Sequence, residues 1–525
     1  MTNNLNSLNL NIAEYCLDQK NQECPNKNAL IIVDSLDSAR VFTYRALYES
    51  VCCLAAGFKK LQLPRFSVVC IQAVDSYDLI LSFLGALAAD LVPITLLLSL
   101  SEEGVNYILK HSQARLFLQL NSTKHDFQIP KNCRSMLISD FNLLKESTFE
   151  PLHTSSLWND PAFIFYTSGS TGTPKGVLHA HRSLIGRKPS LEYWLDLNAN
   201  DIVMQTDNLC WTYSMFTGLL DPLMVGATAL IYNPSNTSAL AEDATSGALW
   251  LQLIQKYKIT VLASTPDIYS TILNDADSKN IQIPTLRLAG SAGSLLANEV
   301  QQNWKKRFGT IIYIALGMTE LSTFISTGNR IPPRQHSIGK IQPGRKVTLL
   351  PLNGGFESVP DNEEGILAIH KDELGFMLGY LGESIGRNPN YRGDWFLTQD
   401  ILSRDQDGYL TYFGRVDSIV KVNGGFRVSP IQVEDVIKSC KHVKDAACGT
   451  IFNEKNKTDV LVAYVVSDQP NQQTAKLIRQ HLVAHLSDYK IPQILFFVEA
   501  LPFNARGKII RSKLAELKPL MQDGQ

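Results

Sequence analysis

No charge of either sign dominates this chain: 49 lysines and arginines face 50 aspartates and glutamates over 525 residues, a formal net charge of −1. Bulk attraction to nucleic acid or to an anionic membrane is therefore excluded as its organising principle, and local sites must carry the function. A paired cysteine framework is missing too. The nine cysteines, at positions 16, 24, 52, 53, 70, 133, 210, 440 and 448, are odd in number and contain no Cys-x-x-Cys spacing. They read as the reduced thiols of a cytoplasmic protein. The N-terminal residues lack a basic stretch followed by an apolar one, so no signal peptide is expected. An unbroken run of membrane-spanning length is lacking as well. Residues 79–100 are mostly apolar, but Asp90 and Pro93 divide them into a buried helix (LILSFLGALAA) and a strand (VPITLLL). Internal repeats and low-complexity linkers are absent.

What is there suffices for a large core, with 45% hydrophobic and 19% charged residues. The length implies more than one domain. From residue 42 to 120 the pattern alternates: a Thr-capped helix (TYRALYES and onward), the strand SVVCIQ, further helices and strands, and ARLFLQL. Strand-like FIFYT, ALIY, TVLAS, LRLAG and IIYIAL continue the series. Such alternation predicts layered α/β structure. Past about Gly365 the segments shorten and favour strands with polar turns, and a βαβ-like tail follows. The expectation is an α/β protein with a large N-terminal domain of layered α/β subdomains over 1–416. A small α+β C-terminal domain is expected over 417–525.

The most informative stretch is YTSGSTGTPKG, residues 166–176, where glycines and hydroxyls close on Lys175 directly after an apolar strand. Glycines let backbone N–H groups approach phosphate oxygens, hydroxyls add donors, and the lysine adds positive charge. A Walker A loop needs Gly-Lys-Ser/Thr, whereas here Pro174 precedes and Gly176 follows Lys175, so that reading fails. A flexible linker is a poor alternative for a segment held between two β-prone runs. The stretch resembles the signature of the adenylate-forming superfamily, which includes acyl-CoA synthetases and the adenylation domains of peptide synthetases. Five further motifs follow in the expected order: SAGSLL (291–296), ALGMTE (315–320), WFLTQD (395–400), GRVDSIVKVNGGFRVSP (414–430) and PFNARGKIIR (502–511).

The resemblance implies an AMP-dependent acyl-CoA synthetase of the benzoate or medium-chain type, using ATP, Mg²⁺ and CoA. By that likeness Thr167, Ser168, Gly169, Ser170, Thr171, Gly172 and Lys175 bind the ATP phosphates. Thr319 hydrogen-bonds the α-phosphate, Glu320 ligates Mg²⁺, Asp400 accepts the ribose hydroxyls and Arg415 reaches ribose or phosphate. Ala292, Gly293 and Ser294, with Leu316, Gly317 and Met318, border the nucleotide. Asp417 is the hinge about which the C-terminal domain turns between half-reactions. Lys508 bridges the carboxylate and the α-phosphate as a protonated lysine, and Gly424, Gly425 and Arg427 then line the CoA channel. Trp211, Ala289 and Gly290 shape the acyl pocket, although Trp211 fits a core position as readily. On their own, Thr319 and Glu320 would read as a helix cap. Asp394 is set aside in favour of Asp400, and His179 and His181 read as structural because no third ligand is near in sequence. Leu316, Ser294 and Gln399 depart from the usual aromatic, glutamate and glycine. The partners implied are a small carboxylic acid and CoA, or an acyl carrier protein acting in trans, with no nucleic acid and no membrane span.

Overall fold

The computed structural model describes the chain except residues 1–7, 75–76, 120–126, 139, 141–148, 150, 169–173, 234–245, 384–387, 417–418, 423–425, 454–457, 504–508 and 525. It comprises two compact units. The first is Met1–Val347 with Ile369–Asp394, and the second is Thr348–Ala368 with Trp395–Gln525.

The first unit is built on two large mixed sheets. In the nine-stranded sheet the strands Asn28–Ser35, Thr228–Tyr232, Ile202–Gln205, Val261–Ser264, Leu288–Ser291 and Ile312–Met318 lie side by side in parallel. Antiparallel strands close both ends. In the seven-stranded sheet Val68–Gln72, Val92–Leu96, Leu116–Gln119 and Arg134–Leu137 run parallel, and the antiparallel pair Pro161–Ser168 and Pro174–Ala180 joins them. Parallel strands are covered on both faces and so read as continuous apolar runs; every residue of Val92–Leu96 and of Val261–Ser264 is buried. This is the βα alternation expected from the sequence.

Local signals place the helices. Thr43 caps helix Tyr44–Lys60 by accepting from Ala46 N at 3.2 Å. The apolar stretch 79–100 divides as expected into helix Tyr77–Ala88 and strand Val92–Leu96, with Asp90 turning the chain at φ +56°. Among the described residues no helix is long and apolar enough to cross a membrane. All nine cysteines are free thiols.

One part of the core is polar. The Arg187 guanidinium pairs bidentately with Asp221, Nε to Oδ1 at 3.1 Å and Nη2 to Oδ2 at 2.5 Å, with side chains 1% and 0% exposed. Its Nη1 donates to Ser322 Oγ at 2.8 Å and Thr323 Oγ1 at 2.6 Å. A second buried pair, Arg345 with Glu373 at 3.1 Å, shares Ser190 and Gln342 with this network.

The second unit contains the antiparallel pair Trp395–Arg404 and Leu410–Arg415, and a four-stranded sheet of Val443–Asn453, Thr458–Ser467, Ile494–Phe497 and Met521–Asp523. Helices Pro430–Lys438 and Gln472–His485 cover that sheet over a core that includes Val433, Ile437, Ala463, Ile478 and Leu482. Its last portion is the small α+β arrangement expected of the tail.

Candidate active site

Strands Pro161–Ser168 and Pro174–Ala180 pair with Thr167 opposite Lys175, so the phosphate-loop sequence joins two adjacent strands as its β-prone flanks require. Gly169, Ser170, Thr171, Gly172 and the Ser168 side chain lie outside the described residues. A short strand, Gly379–Tyr380, adds to the far edge, with Tyr380 opposite Val177 and Leu381 N donating to Gly176 O at 2.8 Å. Gly176 suits this close approach. A Cβ there would stand 2.9 Å from Leu381 Cδ1 and 3.1 Å from Tyr166 Cζ.

The added strand brings Tyr380 between two groups named from the sequence. Lys175 Nζ lies 4.9 Å from the centre of the Tyr380 ring and 2.8 Å from Glu383 Oε1. The Tyr380 hydroxyl donates to Glu320 Oε1 at 2.5 Å. Burial, then the neighbouring Glu320 carboxylate, push the Tyr380 pKa well up, so the hydroxyl keeps its proton. Asn388 Nδ2 donates to the other oxygen of Glu383 at 3.1 Å. A cavity of 280 Å³ opens beside these groups, lined by Tyr107, His111, Lys175, Tyr380 and Glu383 among others.

Thr319 and Glu320 occupy the turn of a hairpin between Ile312–Met318 and Ser322–Ser326, with Met318 opposite Ser322. The helix-cap alternative is thereby corrected: the sheet continues through the motif and leaves no helix to cap. Three contacts fix the turn. Met377 N donates to Glu320 O at 2.8 Å, Leu321 N donates to Met318 O at 3.2 Å, and His179 Nε2 donates to Thr319 O at 2.8 Å. His179 is fully buried and stacks on Phe163 with ring centres 5.0 Å apart. Burial lowers its pKa to about 4, so the ring is neutral with its proton on Nε2. His181 Nδ1 accepts from Ile12 N at 3.2 Å, and burial lowers its pKa also to about 4. Both histidines are structural.

In the second unit Asp400 and Arg415 face each other across an antiparallel pair. Asp400 Oδ1 accepts from the Tyr412 hydroxyl at 3.0 Å and lies 4.0 Å from Arg415 Nη1, which itself donates to Thr398 O at 3.2 Å. Gln399 adopts φ +72°, a left-handed conformation that glycine takes without a Cβ penalty. Asp394, in the first unit, sits in an exposed pair with Lys371 at 2.9 Å. Asp417, Gly424, Gly425, Lys508 and the Arg427 side chain lie outside the described residues.

Near the expected nucleotide strip, Ala292 is buried whereas Gly293, at φ +92°, and Ser294 are exposed. Leu316 and Met318 are half-buried and Gly317 is exposed. A Cβ on Gly317 would stand 2.7 Å from Ser322 O, so this glycine serves the tight hairpin. Ala289 packs in the apolar core with Leu262 and Trp304, and Gly290 lies under Trp194 and Leu195. Trp211 is 38% exposed at the start of helix Thr212–Met215, which sets it outside the fully buried core.

The donor set suits Mg²⁺. Glu320 offers a hard carboxylate oxygen, and among the described residues no group of three His, Cys, Asp or Glu side chains could form an all-protein cage. A cation that keeps water and binds mainly through nucleotide phosphates needs only one such carboxylate. Sequence reasoning missed Tyr380, Glu383 and Asn388. Their only local signal was a β-prone pair, Gly379–Tyr380, between glycine turns.

The family described as AMP-binding enzyme matches residues 17–381, and that described as AMP-binding enzyme C-terminal domain matches 432–508. An acyl-CoA ligase of Bacillus subtilis called YtcI, itself uncharacterized, is 27% identical over 510 residues, covering 93% of this chain and 92% of its own. The benzoate-CoA ligase of Thauera aromatica is 28% identical over 501 residues, 91% of each chain. The crystal structure of the anthranilate CoA ligase AuaEII with anthranoyl-AMP superposes with a TM-score of 0.83 at 25% identity, covering 97% of this chain and 98% of that one.

Proposed function

This chain belongs to the AMP-binding enzyme family, and on that premise we propose that it is an AMP-forming acid:CoA ligase. A carboxylate displaces pyrophosphate from the α-phosphorus of ATP to give an acyl adenylate. The CoA thiol then attacks the acyl carbon, releasing AMP and a proton. The relatives that align along nearly the whole chain include enzymes named as acyl-CoA and benzoate-CoA ligases, which supports the reaction and, through the latter, a compact aromatic acid as substrate.

The observation that carries the reading is the convergence on Tyr380. A lysine at the end of a phosphate-type loop and a carboxylate suited to a divalent cation, 145 positions apart, meet the ring and the hydroxyl of one tyrosine. Bringing an anionic acid to an anionic triphosphate requires charge compensation at that place. Lys175 holds phosphate oxygens, and Thr319 donates to the α-phosphate. Glu320 holds Mg²⁺, which when bound neutralises phosphate charge as the transition state develops. Asp400 takes the ribose hydroxyls, Arg415 reaches ribose or phosphate, and Thr167 and Ser168 add phosphate donors. Lys508 stabilises the carboxylate against the α-phosphate during adenylation. Division at 416/417, with Asp417 as hinge, lets the C-terminal domain withdraw Lys508 and present Gly424, Gly425 and Arg427 to CoA. The free thiols fit a reducing, cytoplasmic setting.

The test is AMP release from ATP with benzoate, anthranilate, phenylacetate, butyrate, octanoate and palmitate, each with and without CoA. Release that requires one acid together with CoA supports the ligase. Acid-dependent pyrophosphate exchange without a CoA thioester redirects the reading to a carrier protein in trans, and no turnover with any acid overturns it. Lys508→Ala is expected to lower pyrophosphate exchange by at least about 100-fold, in line with loss of a charged transition-state contact.

A further inference from the structure

Lys175 and Glu320 are tethered to a single short segment. Residues 379–383 and the preceding Leu378 are stitched to the Lys175 strand by Leu378 N to Leu178 O at 2.7 Å and Leu381 N to Gly176 O at 2.8 Å. Gly382, at φ +74°, turns the chain so that Glu383 follows on the same side as Lys175. The Glu383 carboxylate is held at both oxygens, by Lys175 at 2.8 Å and by the Asn388 amide at 3.1 Å, and Asn388 is only 8% exposed. Asn388 is itself fixed by Asn390 N, which donates to its Oδ1 at 2.9 Å. A carboxylate oxygen in charge-assisted contact with an ammonium has the charge and acceptor geometry of a phosphate oxygen.

We propose that residues 379–383 form a clamp that keeps the phosphate site charge-balanced before nucleotide arrives: Glu383 takes the place of a phosphate oxygen on Lys175, while Tyr380 holds the Glu320 carboxylate for the cation. ATP binding exchanges the Lys175–Glu383 pair for a Lys175–phosphate pair. The freed Glu383, already 37% exposed, leaves Asn388 and turns to solvent, away from the triphosphate. Tyr380 and Glu383 are positioning residues, because they act through Glu320 and Lys175. The inference rests on the ATP-binding role proposed for those two residues, and it does not depend on which acid is activated.

Calorimetric titration of the full chain with ATP, in EDTA and in excess Mg²⁺, separates the two contacts. Tyr380→Phe should leave metal-free ATP affinity within twofold of wild type and raise the Mg²⁺ concentration for half-maximal enhancement about tenfold, the cost of one hydrogen bond to a charged group. Glu383→Gln should tighten metal-free ATP binding about threefold, since a half-exposed competing ion pair is removed. Asn388→Ala should tighten it likewise without touching either charge. Circular dichroism and melting temperature accompany each variant, and if Glu383→Gln is not folded, Asn388→Ala decides that arm. The clamp is overturned if Tyr380→Phe leaves the Mg²⁺ requirement within twofold, or if Glu383→Gln and Asn388→Ala weaken ATP binding. Wild-type chain that binds ATP in this pattern yet turns over no acid would retain the clamp and refute the ligase.

Discussion

Removing one half of the buried Arg187–Asp221 pair offers a demanding test of the core behind the site. Asp221→Ala leaves a guanidinium that is 1% exposed, with neutral partners in Ser322, Thr323, a longer contact to Ser190 and the Phe216 ring at 5.3 Å. Breaking a buried pair from one side costs roughly 3–5 kcal/mol, because the surviving charge keeps its desolvation penalty. In a unit of this size that corresponds to a fall of about 4–6 °C in melting temperature. Differential scanning fluorimetry reads the fall, and Trp194 and Trp304, both fully buried in the same unit, supply an independent fluorescence signal. Replacing both charges, Arg187→Met with Asp221→Leu, should recover at least half of the loss, since neither charge then remains buried. Ser322 and Thr323 directly follow the Thr319–Leu321 turn, so Asp221→Ala should also lower adenylation below wild type at temperatures where it is still folded. A single variant melting within 2 °C of wild type, or a double variant no better than the single, would refute the reasoning.

Two other outcomes follow from backbone and burial. Gln399→Gly should stabilise the second unit by about 0.5–1 kcal/mol, because a left-handed residue without a Cβ relieves strain at φ +72°; a urea midpoint lower than wild type would contradict this. His179 and His181 have folded pKa values near 4, below the ordinary histidine value of 6.5, so the unfolded chain binds their protons first. Their stabilisation is therefore complete above pH 6.5 and lost as pH falls towards 4, by about 2 kcal/mol for each at pH 5. Urea denaturation at pH 7 and pH 5 measures that loss, and replacing His179 by Gln should remove about one proton from the slope; an unchanged slope would contradict neutral burial.

Much of the fold was legible because its signals are local. The Thr43 cap, the break at Asp90 and Pro93, and the alternation of apolar runs each act over a few residues, and the structure places the corresponding elements where those signals lie. The helix-cap reading of Thr319 and Glu320 shows the limit of this logic. Whether a Thr-Glu pair caps a helix or turns a hairpin depends on the strand that follows, and here that strand pairs back at once with Met318 opposite Ser322. The outer groups of the site were beyond reach. Glu383 meets Lys175 across 208 positions and Tyr380 meets Glu320 across 60, and nothing in either neighbourhood specifies the partner.

The sequence by itself determined which chemistry is available: a lysine after a glycine and hydroxyl run, a Thr-Glu pair, an aspartate and an arginine flanking a short hairpin, and a late lysine, all in one order. Side-chain type and short-range spacing suffice for that, since pKa class, donor count and turn preference belong to residues and their immediate neighbours. Only the tertiary structure decided that Lys175 and Glu320 share a tyrosine and that the Glu383 carboxylate pairs with Lys175. Those contacts are set by the register of an added strand on a sheet edge, and a shift of one residue there would turn Tyr380 to the opposite face.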